Sequence, residues 1–122
     1  MSLKPRILVI DDDEPILRLM SSILSEFNFE PVTAMSGLEA IRKAERIQPD
    51  LILLDMNMPG MSGREVIERF RGDGSPAVPI LILSGEPVSP EELVEVRADG
   101  AIQKPFDLND LLGKIRQHLP AQ

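Results

Sequence analysis

The sequence of 122 residues has no cysteine, no tryptophan and no tyrosine, and a single histidine. Without cysteine, a disulfide scaffold and a thiolate metal site are both excluded. Four phenylalanines are the whole aromatic content, too few to stack single-stranded bases. Basic residues are also scarce: 13 Lys and Arg stand against 20 Asp and Glu, for a net charge of −7. An acidic domain repels phosphate backbones, so no direct nucleic-acid binding is expected. Long hydrophobic runs are missing. Those at residues 51–54 and 80–83 are far too short to cross a bilayer. The opening Met1-Ser2-Leu3-Lys4-Pro5-Arg6 has no apolar stretch of signal-peptide length. No membrane insertion and a cytoplasmic location are therefore expected. With 43% hydrophobic and 27% charged residues, the composition is that of an ordinary globular domain. The length suits one domain, able to bury about two-thirds of its unfolded surface.

Short apolar runs alternate with amphipathic stretches of helical length. Residues 6–10 (R-I-L-V-I), 31–34, 51–54, 80–83 and 101–103 read as strands. Residues 14–27 carry Ile16, Met20, Ile23, Leu24 and Phe27 at helical spacing. Ser36-Gly37-Leu38-Glu39 and Ser62-Gly63-Arg64-Glu65 have capping-box form and open two more helices. Residues 72–79 read as a loop. Ser89-Pro90-Glu91-Glu92 combines a cap serine, a proline at the first helical position and an acid at the third, for a short helix over 90–97. Asp107 caps a last helix bearing Leu108, Leu111, Leu112, Ile115 and Leu119. The order is β-α five times over, and continuous apolar strands suit a parallel sheet covered on both faces. Five units are too few for a closed eight-fold barrel. The expected fold is α/β, an open, doubly wound, five-stranded parallel sheet. Its site should lie beyond the carboxyl ends of the strands, where strand order reverses.

At those ends stand Asp11 and Asp12 after the first strand, Asp55 after the third, Ser84 after the fourth and Lys104 after the fifth. If the first and third strands are neighbours, three carboxylates converge. Like charges ~5 Å apart repel by roughly 3 kcal/mol per pair at an effective dielectric near 20. Such a site calls for a hard divalent cation with oxygen ligands, Mg²⁺ first and Mn²⁺ as the alternative. Lys104 adds a fixed positive charge, and Ser84 a hydroxyl that can donate to an anion. Neither G-x-x-x-x-G-K-[ST] nor G-x-G-x-x-G is present. This set suits transfer of a phosphoryl group onto a carboxylate, with the protein supplying position and charge neutralisation.

The stretches I-L-V-I-D-D-D-E-P (7–15), P-D-L-I-L-L-D-M-N-M-P-G-M-S-G (49–63), I-L-S-G (82–85) and K-P-F (104–106) make the chain resemble the receiver domain of two-component response regulators. Any one alone is weak; all four in order are highly specific. The resemblance implies a flavodoxin-like (βα)5 receiver fold with strand order 2-1-3-4-5. It implies a receiver over residues 6–119, an extension at 1–5, and a tail or linker start at 120–122. By matching position, Asp55 would be the phosphoacceptor and Asp12 a direct Mg²⁺ ligand, with Asp11 acting mostly through water. Asn57 would lend its backbone carbonyl to the metal. Ser84 would hydrogen-bond the phosphoryl group and Lys104 would pair with one of its oxygens. Lys104-Pro105 would be a cis bond. Asn57 and Glu86 would flank the attacking water and tune the lifetime of the acyl phosphate. The donor would be a phosphohistidine on a histidine kinase or histidine phosphotransfer domain. That partner would dock against Pro15, the first helix, Pro59 and the loop at 104–106. The domain would catalyse its own phosphorylation and dephosphorylation, without being an enzyme toward other substrates.

Two features depart from the family pattern. Ala101 stands where an aromatic residue usually swings inward on activation, and the segment from Ser84 to Lys104, with Pro87 and Pro90, is about two residues short. Chemistry should be retained while transmission through the fourth helix is altered. The chain leaves no room for an effector domain, so the output is an unknown partner or an effector domain outside this sequence. Several tempting residues have plainer readings. Asp13 and Glu14 suit a helix N-terminus. Met56, Met58 and Met61 suit packing, His118 suits capping of helix carbonyls, and Glu91, Glu92 and Glu95 suit a solvated face. An aspartyl-phosphate hydrolase of haloacid-dehalogenase type would want an acid where Asn57 stands. A flavodoxin-like cofactor module would want aromatics for its flavin. A receiver-like docking module would not need the complete acidic set.

Overall fold

The computed structural model describes residues 4–72 and 78–119. Five strands alternate with five helices: β1 (Arg6–Ile10), α1 (Glu14–Glu26), β2 (Glu30–Ala34), α2 (Gly37–Ile47), β3 (Leu51–Asp55), α3 (Gly63–Arg71), β4 (Ile80–Ser84), α4 (Pro90–Val96), β5 (Gly100–Gln103) and α5 (Leu108–His118). The strands form one parallel sheet in the order β2-β1-β3-β4-β5. This is the flavodoxin-like (βα)5 architecture expected from the sequence. No helix among the described residues is long and apolar enough to cross a membrane.

Strand side chains alternate between faces, and here both faces are apolar. Ile7, Val9, Leu51, Leu53, Leu81 and Leu83 pack beneath α1 and α5. Leu8, Ile10, Ile52, Leu54, Ile80 and Ile82 pack beneath α2, α3 and α4. Ile7, Leu8, Leu51–Leu54 and Ile80–Leu81 are wholly inaccessible to solvent. That is why these runs read as unbroken rather than alternating.

Helix starts follow the capping chemistry. Ser62 and Ser89 form complete capping boxes with Glu65 and Glu92, and Asp13, Ser36 and Asp107 each accept a bond from the third helical residue. At Ser36 the box is incomplete. The Glu39 carboxylate reaches past the cap and accepts from the Met35 N–H at 2.6 Å. Helix faces also depart from the sequence reading. In α1 the buried residues are Leu17, Met20 and Leu24, with Ile16 and Ile23 only partly covered, and Phe27 is the C-cap. Leu108 is exposed at the first position of α5. Of the expected loop at 72–79, residues 73–77 lie outside the described residues, as does the tail at 120–122.

At the opposite end of the sheet from the strand carboxyl termini, Arg71 gathers three segments. Its guanidinium donates to the Val78 carbonyl at 2.7 Å, to the Arg97 carbonyl at 3.2 Å and to Asp99 Oδ2 at 2.9 Å. Asp99 Oδ2 also accepts from the Ile80 N–H at 2.8 Å. The end of α3, the start of β4 and the turn from α4 into β5 are thereby tied together.

Candidate functional site

Strand order reverses between β1 and β3: β2 lies to one side of β1, while β4 and β5 lie beyond β3. Asp11 follows β1 directly and Asp55 is the last residue of β3. Carboxylate oxygens of Asp11, Asp12 and Asp55 lie within 4.8 Å of one another. Asp11 and Asp55 are buried, at 1% and 5% exposure, while Asp12 faces solvent. Backbone donors orient the two buried groups. The Asp13 N–H donates to Asp11 Oδ1 at 3.0 Å, and the Asn57 N–H donates to Asp55 Oδ1 at 3.1 Å.

Lys104 closes the cluster. It follows β5, whose end is held by a bond from the Lys104 N–H to the Ser84 carbonyl at 2.7 Å. The Lys104-Pro105 peptide is cis. The ammonium stands 3.4 Å from Asp11 Oδ2 and 3.6 Å from Asp55 Oδ1. One cation thus faces three carboxylates, a local excess of negative charge. An all-oxygen donor set of this kind, open to solvent at Asp12, fits a hard divalent cation such as Mg²⁺.

Burial raises the pKa of the Asp11 carboxyl above the ordinary 3.8. The Asp13 N–H opposes this, the Asp55 charge adds to it, and Lys104 opposes it again. The folded state therefore holds the Asp11 proton more tightly than the unfolded chain does. Above the raised folded value, Asp11 is charged in both states and the fold bears the full cost of burying it. As pH falls through that value towards 3.8, the cost is relieved. A divalent cation held by these carboxylates would relieve the same cost and compete with the proton. Added Mg²⁺ should accordingly raise the unfolding temperature clearly at pH 7.5 and progressively less as the medium is acidified through the Asp11 titration. An Mg²⁺ effect that is independent of pH, or absent at pH 7.5, would contradict this account.

Ser84 sits at the end of β4, half-buried, with its hydroxyl turned onto its own loop. It donates to the Glu86 carbonyl at 2.9 Å and accepts from the Glu86 N–H at 3.1 Å. Among the described residues no hydrogen bond joins this hydroxyl to Asp11, Asp55 or Lys104. The Glu86 side chain is exposed. Ala101 pairs with Ile82 across β4 and β5 and packs, half-buried, into the cluster that includes Val96 of α4.

The plainer readings agree with the structure. Asp13 caps α1, and Glu14 pairs with Arg18 at 2.8 Å. Met58 is buried, with Met56 and Met61 packed against the same cluster. His118 Nδ1 lies 2.9 Å from the Lys114 carbonyl. One contributor escaped sequence reasoning. A Cβ on Gly63 would lie 2.5 Å from the Met56 sulfur and 3.0 Å from the Met56 Cα. Gly63 thus lets α3 seat directly against the residue that follows Asp55. The only signal in the sequence is a glycine next to a cap serine.

Comparisons with known proteins point the same way. The family model described as "Response regulator receiver domain" matches residues 7–116. The transcriptional regulatory protein PrrA of Mycobacterium tuberculosis is 36% identical over 114 residues, covering 92% of this chain and 48% of the relative. The DNA-binding response regulator MtrA of the same species is 32% identical over 120 residues, covering 97% of this chain and 52% of the relative. The chain therefore spans about half the length of these curated relatives. Among solved structures, the chemotaxis protein CheY4 of Vibrio cholerae superposes with a TM-score of 0.88 at 35% identity, covering 95% of this chain and 99% of that one. A CheY-like receiver domain protein from Methanospirillum hungatei gives 0.83 at 34% identity, covering 95% and 93%.

Proposed function

Because this chain belongs to the response regulator receiver domain family, a family of signal-transduction domains rather than of distinct enzymes, we propose that it signals by accepting a phosphoryl group on Asp55. The observation that carries this reading is the acidic trio of Asp11, Asp12 and Asp55, with the Lys104 ammonium 3.6 Å from Asp55. In the proposed reaction an Asp55 carboxylate oxygen attacks the phosphorus of a phosphohistidine. A P–O bond forms, the P–N bond breaks, and the imidazole leaves with its electron pair and takes up a proton. The Asn57 N–H, donating to Asp55 Oδ1, holds one oxygen so that the other is presented to the donor. Lys104 meets the charge that gathers on the phosphoryl oxygens.

Asp11, Asp12 and Asp55, with the Asn57 backbone carbonyl, would hold Mg²⁺ or Mn²⁺. When bound, the metal supplies charge neutralisation across the transferring group. Ser84 takes a hydrogen-bonding role toward the phosphoryl group once it gives up its bonds to Glu86. Asn57 and Glu86 flank the approach of the hydrolytic water. The donor is a histidine kinase or histidine phosphotransfer domain. Its landing site is formed by the exposed Pro15, by the first helix with its exposed Leu19, by the exposed Pro59 and by the loop at 104–106 with the half-buried Phe106. The output is a separate partner, or an effector domain such as the longer relatives' regulatory names suggest. A cytoplasmic setting suits both donor and output.

The test is incubation with a small acyl phosphate and Mg²⁺, followed by intact-mass and peptide analysis. One phosphoryl group should appear on the peptide carrying Asp55. It should depend on the metal and be removed by hydroxylamine. No incorporation, or incorporation on another residue, would overturn the reading.

A further inference from the structure

Between α3 and α4, over the ends of β3 and β4, lies a cavity of about 180 Å³. Met56, Ile82 and Ser84 form its floor, and Val88 and Val96 its wall on the α4 side. A water occupies about 30 Å³ of liquid, so the gap leaves room for a side chain to move. Arg64 and Glu95 also line it and join across it: Arg64 Nη2 on α3 lies 3.1 Å from Glu95 Oε1 on α4. Among the described residues this is the one salt bridge between these two helices. Apart from the Arg71 bond to the Arg97 carbonyl at its C-terminal end and the partly buried Leu93, little else fixes α4. It has seven residues, Val96 is its only buried one, and Val94 is 77% exposed.

The cavity floor contains Ser84, and the loop behind it is held by the two bonds between the Ser84 hydroxyl and the Glu86 backbone. A Ser84 that turns toward Asp55 must release both bonds, freeing the stretch that leads through Val88 into α4. Ala101 cannot follow that movement as a large ring would. We propose that the Arg64–Glu95 pair is the latch that holds α4 in its resting position, and that its release across the α3–α4 cavity transmits the state of Ser84 in this chain. The proposal rests on the reading of Asp55 as phosphoacceptor. The resting fold is held closed by an exposed ion pair, which is a weak bond. A weak bond suits a switch, because a modest differential interaction at Ser84 can then shift the population of the two α4 positions.

The test uses Arg64→Ala, Glu95→Gln and the exchanged pair Arg64→Glu/Glu95→Arg in the full chain. Each single variant should accept phosphate from a small acyl phosphate about two- to fivefold faster than the parent, since unlatched molecules are already partway to the receptive state. Each should also raise amide exchange over residues 85–97 without phosphate, at the same amides that phosphorylation exposes in the parent. The exchanged pair should return both readouts toward the parent. Unchanged phosphorylation rates in the single variants, or faster exchange at amides that phosphorylation leaves untouched, would overturn the latch. A parent protein that takes up no phosphate at Asp55 would instead overturn the receiver reading. In that case unchanged exchange in the variants would still count separately against the latch.

Discussion

Asp55→Asn should yield a folded protein that takes up no phosphoryl group. The amide is nearly the same shape as the carboxylate, and its oxygen can still accept from the Asn57 N–H. What it lacks is the anionic oxygen that attacks phosphorus. Uptake should fall to background in the intact-mass assay, with no compensating label on Asp11 or Asp12. Removing one charge from a crowded acidic cluster relieves repulsion, while Lys104 keeps its 3.4 Å pairing with Asp11. Stability should be equal to the parent or higher by about 1 kcal/mol. Thermal unfolding alongside the mass assay separates the two effects. Label retained in a well-folded variant would move the acceptor elsewhere.

Leu53→Ala should remove a large share of the total stability. Leu53 is wholly buried in β3, which lies between β1 and β4, and packs in the cluster beneath α1 and α5. Truncating it forfeits transfer free energy and leaves a void that a central strand cannot collapse into, roughly 3–4 kcal/mol. Domains of this size hold only about 5–15 kcal/mol in all. Urea unfolding should show a much lower midpoint with an unchanged slope. Val94→Ala, at a side chain 77% exposed on α4, should change stability by no more than about 0.5 kcal/mol. Similar losses in the two variants would mean that the core is not where the structure puts it.

Much of this arrangement was legible in the residues. Strands buried on both faces must be apolar throughout, so R-I-L-V-I, L-I-L-L and I-L-I-L announced themselves, and the first polar residue after each run marked the rim. The convergence of Asp11 with Asp55 required only that β1 and β3 be neighbours, which doubly wound order supplies. What escaped was tertiary. The core-facing stripe of α1 is centred on Leu17, Met20 and Leu24 rather than on Ile16 and Ile23, because the packing angle of α1 on the sheet sets its rotation. Spacing alone allows both. Glu39 found Met35 in place of Ser36, a choice between adjacent N–H groups that sequence cannot rank. The inward or outward turn of the Ser84 hydroxyl depends on the loop beyond it. Arg64 with Glu95, and Arg71 with Asp99, are partners about thirty positions apart, brought together only by folding.

Arg71 gives α4 a fulcrum. Its guanidinium grips the carbonyl of Arg97, immediately after the last helical residue, from a corner shared with β4 and β5. A rod pinned at one end does not slide; it pivots. Glu95 lies near that pin and Ser89 at the far tip, so a short slip at the Glu95 carboxylate becomes a longer sweep at the Ser89–Glu92 end. A partner that reads tilt would gain most by gripping the tip of the lever, where the displacement is amplified, and least by gripping the hinge.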